Sequence, residues 1–88
     1  IGLSLISAEK SITIANIPGE VTKIDSSAFS SCYSLAKVTL PDDLLTIADY
    51  AFQNCRSLNA VVLPNTLTSI GQYAFSGCIG LQTITFGE

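Results

Sequence analysis

The sequence predicts an α/β repeat solenoid, in which one short structural unit recurs and buries its apolar side chains by stacking on its neighbours. Three ungapped segments predict this fold, because residues 18–40, 41–63 and 64–86 each contain 23 residues. In every copy the same offsets carry Pro, Val or Leu, Ile, an Ala-Phe pair, Cys, Leu, Val or Ile, and Leu or Phe. Hydrophobic residues make up 48% of the chain against 12% charged residues, a composition typical of chains that fold. We therefore expect residues 1–88 to form a single domain.

The end of each copy is predicted to be a β-strand, over residues 37–40, 60–63 and 83–86. Apolar side chains alternate with exposed positions there, as a half-buried strand requires. Pro41 and Pro64 cannot donate a ladder hydrogen bond, so each is expected to end a strand and turn the chain. The side chains predicted to point inward are Val38, Leu40, Val61, Leu63, Ile84 and Phe86.

The remainder of each copy is predicted to have two parts. After the proline, pairs such as Val21 and Ile24 indicate a short extended or irregular arm along the opposite wall. The Ala-Phe pair, the Cys and the following Leu then recur at three- and four-residue steps, which favours one or two helical turns.

Residues 1–17 are interpreted as a degenerate N-terminal coil. Glu9 stands where the later copies have Cys, and terminal repeats commonly depart from the internal pattern. Because the chain begins without Met, we expect a trimmed N terminus, either after signal-peptide removal or as a piece of a longer chain. No cap is visible after the last copy. The residues placed at the repeat's apolar offsets are Ile1, Ile6, Ile12, Ala15 and Ile17.

The repeat resembles the BspA-like leucine-rich repeats, most completely at Pro64, Leu67, Ile70, Gly71, Ala74, Phe75, Cys78, Leu81, Ile84 and Phe86. The Asn or Cys expected after the strand is Asp43 in one coil and Thr66 in the next, so no buried Asn ladder is expected. The resemblance implies a right-handed coil with a parallel sheet on its concave face and short helical or irregular segments opposite. It also implies a surface or secreted protein with a role in adhesion to host matrix proteins or to other microbes.

The three cysteines, Cys32, Cys55 and Cys78, share one inward-facing offset. Neighbouring strands lie about 4.8 Å apart, a separation that permits a disulfide, although an odd count leaves one thiol unpaired. We favour buried structural thiols over one disulfide, and both over a metal or catalytic role. The chain has no His, which excludes mixed-ligand zinc sites and a Cys-His nucleophile.

Composition and charge exclude several function classes. The net charge is −3, and Lys10, Lys23, Lys37 and Arg56 are scattered, so no nucleic acid partner is predicted. Residues 57–87 carry no charge, but polar residues interrupt them too often for a membrane span of about 20 apolar residues. No catalytic motif and no phosphate-binding Gly loop is present, so neither an enzyme nor a cofactor is predicted.

Two polar or aromatic clusters are alternative sites. Glu20, Asp42 and Asp43 gather at the proline corner, where they form either a cation site or, as we favour, a solvated acidic surface. Tyr50 and Tyr73 share one offset, where they either anchor a partner or pack over the turn as half-buried rings, the alternative that we favour.

The predicted binding surface is the outward side of the concave strands, a mildly apolar stripe rich in Thr. The alternative is a sheet surface that binds no partner, because Thr and Val favour strands for packing reasons alone. We predict a non-enzymatic protein-binding or adhesion module, and alternatively a structural spacer that self-associates through its uncapped C-terminal coil. The stripe residues are Ile14, Asn16, Lys37, Thr39, Ala60, Val62, Thr83 and Thr85.

Overall fold

Eight short strands build the molecule. The computed structural model describes residues 3–5 and 11–86, with side chains for residues 11–85. Within these residues there is no helix. The strands are β1 (Leu3–Leu5), β2 (Ile14–Asn16), β3 (Val21–Ile24), β4 (Lys37–Thr39), β5 (Thr46–Ile47), β6 (Ala60–Leu63), β7 (Ser69–Ile70) and β8 (Thr83–Phe86).

The strands form two parallel sheets, one on each side of the core. The first sheet has the order β1-β3-β5-β7, and the second has the order β2-β4-β6-β8. In the second sheet Lys37 pairs with Ala60, and Ala60 pairs with Thr83, so partners are 23 residues apart. Each pass of the chain therefore adds one strand to each sheet, which confirms the predicted solenoid.

The arm that follows each proline corner is a strand of the first sheet. The corner closes as a turn in which the N–H of Leu44 donates to the carbonyl of Pro41 at 3.2 Å. The same bond joins Leu67 to Pro64 at 3.2 Å, so the prolines begin equivalent turns in successive coils. Extended arms were predicted there, and two-residue strands such as Thr46–Ile47 satisfy that prediction.

The helical turns predicted around the Ala-Phe pair do not form, and the segment is irregular. The backbone of Ser27 and that of Ser31 have φ of 61°, in the left-handed region that a right-handed helix cannot include. Tyr50 and Asn54 repeat this conformation one coil later, as do Tyr73 and Gly77 in the next. The three- and four-residue spacing of apolar side chains therefore identifies the side chains that face the core, although the segment that carries them is not a helix.

The left-handed residues redirect every second N–H toward the next coil. The N–H of Ala28 donates to the backbone carbonyl of Asp25 within its own coil at 3.1 Å. The next N–H along, that of Phe29, donates to Ala51 of the following coil at 2.7 Å. These bonds between coils form a third ladder and offset the backbone strain, which costs roughly 1–2 kcal/mol for each non-glycine residue.

The core is a set of columns in which each buried side chain lies on its own equivalent. Phe29 and Phe52 stack with ring centroids 5.0 Å apart and planes 3° from parallel. Phe52 stacks in turn on Phe75 at 5.2 Å and 2°. Phe52 is therefore enclosed by aromatic faces on both sides and fully buried. Further columns contain Ile24 and Ile47, Cys32 and Cys55, and Leu35 and Leu58, all buried.

The first coil departs from the strict 23-residue spacing. The structure pairs Ala15 with Val38, as predicted, but it pairs Leu5 with Ile24. The predicted occupant of that offset, Ile1, was therefore wrong. Leu3-Ser4-Leu5 alternates apolar and polar residues as a strand does, whereas Ile1 is followed by Gly2, which disfavours strands. The predictions for Ile6 and Glu9 lie outside the described residues.

The strand side chains predicted to face inward do so to different degrees. Val38, Val61 and Leu63 are buried, and Leu40 is partly buried against the core. Ile84, in the last strand, remains 44% exposed because no described coil packs on the outer side of that strand. The side chain of Phe86 lies outside the described residues.

Replacing Phe52 with Ala is expected to lower the free energy of unfolding by about 3–5 kcal/mol, because the truncation opens a cavity between two rings. Phe75→Ala is expected to cost less, because that ring is only partly buried. Urea-induced unfolding measures both values, with the exposed Ser34→Ala as control. Equal costs for the two phenylalanines would contradict the enclosed aromatic column.

Candidate functional site

A groove of about 870 Å³ lies on the outer face of the second sheet. This volume falls within the range of about 300–1,000 Å³ that is usual for ligand sites. The described residues that line the groove are Ala36, Lys37, Val38, Thr39, Leu40, Asp42, Asn59, Ala60, Val61, Val62, Pro64 and Asn65.

The two central strands, β4 and β6, form the floor of the groove by alternation. Val38 and Val61 turn into the core, so their neighbours in each strand must face outward. Lys37 and Thr39 form one side of the groove, and Ala60 and Val62 form the other side. Val62 leaves 59% of its surface exposed, which supplies an apolar contact patch in the middle of the sheet.

The charged side chains of the groove lie at the two ends of its β4 side. Lys37 is the first residue of β4, and Asp42 follows the strand beyond the Pro41 corner. Within the part of the chain that the structure describes, neither side chain has an ion-pair partner. The groove therefore presents a free ammonium group at one end and a free carboxylate at the other. Thr39, Asn59 and Asn65 add uncharged hydrogen-bonding groups.

The structure brings four of the predicted stripe residues into the groove: Lys37, Thr39, Ala60 and Val62. The other predicted residues, Ile14, Asn16, Thr83 and Thr85, are exposed on flanking strands of the same sheet. Alternation along the strands predicts only alternate strand positions, so the groove residues just outside the strands were not predicted. A signal for them was present, because Ala36 and Asn59 share one repeat offset, and Asp42 and Asn65 share another.

Two of the three tyrosines, those that share one repeat offset, lie apart from the groove residues. Tyr50 and Tyr73 stack with centroids 5.5 Å apart and planes 21° from parallel. They leave 38% and 55% of their surfaces exposed, so the expectation of half-buried rings fits Tyr50 better than Tyr73. The acidic corner is open to solvent, since Glu20, Asp42 and Asp43 are all exposed.

The three cysteines are free thiols in this structure. The Sγ of Cys55 donates to the carbonyl of Phe29 at 3.1 Å, and the Sγ of Cys78 donates to the carbonyl of Phe52 at 3.0 Å. Each thiol thus ties one coil to the preceding one and satisfies a carbonyl inside the core. This arrangement supports the structural-thiol alternative over a disulfide.

Two of these thiols influence each other because they are neighbours in one column. When Cys78 ionises, the Cys55 thiol can turn its one proton from the Phe29 carbonyl to the Cys78 thiolate, and this hydrogen bond lowers the pKa of Cys78 from 9.0 to about 7. The same hydrogen bond, together with burial, raises the pKa of Cys55 well above its usual range. Cys78 is also only partly buried, so it is the more reactive of the two.

Two kinds of feature are not found among the described residues. Residues 3–5 and 11–86 contain no helix of the length and hydrophobicity needed to cross a membrane. Across the same residues, no three His, Cys, Asp or Glu side chains lie close enough together to hold a metal ion.

A comparison with protein families gives one match over nearly the whole chain. The family model described as BspA type leucine rich repeat region (6 copies) matches residues 3–88. Among curated protein sequences, none matches the chain significantly.

Solved structures of bacterial leucine-rich repeat proteins are similar to this chain. A leucine rich cell surface protein from Faecalibacterium prausnitzii is 40% identical, with a TM-score of 0.84 over 88% of this chain and 20% of its own. A leucine-rich repeat protein from Eubacterium ventriosum is 29% identical, with a TM-score of 0.88 over 94% of this chain and 23% of its own. A leucine rich repeat protein from T. pallidum is 30% identical, with a TM-score of 0.58 over 82% of this chain and 44% of its own. The chain thus spans less than half the length of these three proteins.

Alkylation of the folded protein with iodoacetamide is expected to modify Cys78 first, with a rate that rises through a midpoint near pH 7, because the thiolate is the nucleophile. Cys55→Ala removes the donor to that thiolate and should move the midpoint to higher pH. Cys32→Ala is the matched control. Mass spectrometry of the modified peptides gives the rates, and an unchanged midpoint in Cys55→Ala would contradict the thiol–thiolate hydrogen bond.

Proposed function

The chain belongs to the BspA-type leucine-rich repeat family, and we propose that it is a non-enzymatic module that binds a protein partner through the groove on its second sheet. The observation that carries this proposal is the groove itself, which is formed by the two central strands of that sheet. Its position means that coils on both sides support it. A partner would therefore meet a rigid, preformed surface, which reduces the entropy lost on binding.

The chemistry of the groove favours binding over catalysis. Its described lining offers one ammonium, one carboxylate, a hydroxyl, two amides and apolar side chains. Lys37 and Asp42 have no ion-pair partner in the described structure. Such a set can orient and hold a ligand, and its one acid and one base lie at opposite ends of the groove rather than paired for catalysis.

The proposal extends to location and role. The similar protein from F. prausnitzii is described as a cell surface protein, and the family resemblance implies surface or secreted proteins. We place this module on a cell surface or outside the cell, in adhesion to a host matrix protein or to another microbial surface protein. Its net charge of −3 opposes binding to nucleic acid.

Val62→Asp is expected to weaken binding to a recognised partner at least tenfold, because a carboxylate would replace the exposed apolar centre of the groove. A panel of immobilised host matrix proteins, measured by surface plasmon resonance, provides the partners. The matched control is Leu45→Asp, which places the same charge at a residue 45% exposed beside the opposite sheet. Equal losses in both variants would place the contact elsewhere.

A second candidate function is self-association through the last coil. Ile70 and Ile84 leave 45% and 44% of their surfaces exposed, whereas their equivalents Ile47 and Val61 are buried. The N–H of Phe52 donates to the carbonyl of Ala74 in the following coil at 2.7 Å, and no described coil stacks on the coil that contains Phe75. Within the described residues this face thus combines apolar surface with backbone N–H groups that have no neighbouring coil, which favours the addition of another coil.

Under this second candidate, the mass measured by light scattering on size-exclusion eluate rises with protein concentration. Ile84→Asp is expected to keep the chain monomeric, because a charge would be buried in the contact. Val62→Asp changes the groove alone and should leave assembly intact. A wild-type mass that stays monomeric over the whole concentration range would exclude self-association.

A further inference from the structure

The positions of the two groove charges define the direction in which a ligand lies. Lys37 and Asp42 belong to the same coil, on either side of β4 and its corner. The equivalent positions on the next coil are uncharged, since Ala60 and Asn65 occupy them. A ligand that contacts both charges must therefore run along β4 rather than across the strands.

The space beside β4 fits a narrow, extended ligand. The small side chain of Ala60 leaves room beside Lys37, and Val62 supplies an apolar contact beside Thr39. The five residue steps from Lys37 to Asp42 span at most about 18 Å, and the turn at Pro41 shortens this distance. An extended peptide covers such a span with three to five residues between its charged groups.

We propose that the groove binds an extended peptide segment of a partner protein, aligned with β4, in which an acidic residue meets Lys37 and a basic residue meets Asp42. A small apolar residue between them contacts Val62. The inference rests on the proposed function, because it names the kind of partner segment that the same groove accepts. The observation that carries it is the separation of two unpaired opposite charges, one at the start of β4 and the other just beyond the corner that follows it.

Peptide is the ligand class that this lining favours. Sugar rings commonly bind by stacking on exposed aromatic side chains, and none of the described lining residues is aromatic. The exposed tyrosines of the chain, such as Tyr50 and Tyr73, lie on the turn segment and do not line the groove. An extended peptide also matches the hydroxyl and amide groups of Thr39, Asn59 and Asn65 with its own backbone.

The test uses three blocked peptides and the whole 88-residue chain. The first is Ser-Glu-Ser-Val-Thr-Lys-Ser, the second is the same sequence reversed, and the third has Gln in place of both charged residues. Each is titrated into the isotope-labelled protein while the backbone amide signals are followed by NMR. We expect a charged peptide to shift the amides of Lys37, Thr39, Ala60 and Val62, and the Gln peptide to bind roughly five- to tenfold more weakly.

A double variant, Lys37→Glu with Asp42→Lys, tests the polarity directly. Both residues are on the surface, so the exchange should leave the fold intact and keep the net charge. We expect the wild-type protein to prefer one of the two charged peptides and the double variant to prefer the other. If the Gln peptide binds as tightly as the charged ones, or the preference does not exchange, the assignment of charges is overturned.

The outcome separates this inference from the proposed function. Binding of chitohexaose to the groove amides, with no response to any peptide, would overturn the peptide assignment and leave a binding groove in place. The same holds if no peptide binds but Val62→Asp still abolishes binding to a matrix protein. If Val62→Asp and Leu45→Asp affect that binding equally, the proposed function itself fails.

Discussion

The fold depends on one constraint, that each full coil from Pro18 onward must stack on the next in a fixed 23-residue spacing. Every inward side chain then meets its own equivalent, as Phe52 does between Phe29 and Phe75. A flat ring can stack in this way only if its neighbours keep the same orientation, and the planes are within 3° of parallel. The turn segment adjusts to this requirement by accepting left-handed backbone at Ser27 and Ser31. This backbone strain is offset because alternate N–H groups of the turn segment donate hydrogen bonds to the next coil.

The same spacing separates the residues that maintain the scaffold from those that can choose a partner. Inward positions repeat in type from coil to coil, whereas outward positions do not. On the outer face of the second sheet, the offset of Lys37 carries Ala60 in the next coil and Thr83 in the one after. The stacking does not constrain these side chains, so charge can be confined to one coil of a uniform sheet. The groove thus has polarity along β4 although the backbone beneath it is repetitive.

The sequence predicted the solenoid and its core because both depend on a pattern that three copies state in the same way. For the turn segment it left helical or irregular structure open and favoured helical turns, because apolar side chains three and four residues apart also suit a helix. The left-handed conformation of Tyr50 and Tyr73 is uncommon for such residues, so the pattern did not indicate it. It placed Ile1 where the structure has Leu5, because a strict count cannot detect a shortened coil. Alternation predicted the two sides of the groove, such as Thr39 and Val62. It did not predict Asp42, which lies beyond the corner and reaches the groove only because the chain turns there.

The spacing is tested most directly by adding a coil. A second copy of residues 41–63 is inserted after Leu63, and a matched chain carries one extra alanine between the inserted copies of Val61 and Val62. Urea-induced unfolding compares both with the original protein. We expect the 23-residue insertion to raise the free energy of unfolding, because it adds a complete stacked interface. The extra alanine should lower it below that of the original, because a one-residue shift turns strand side chains to the opposite face. Equal stability of the two extended chains would contradict the spacing as the constraint on which this fold depends.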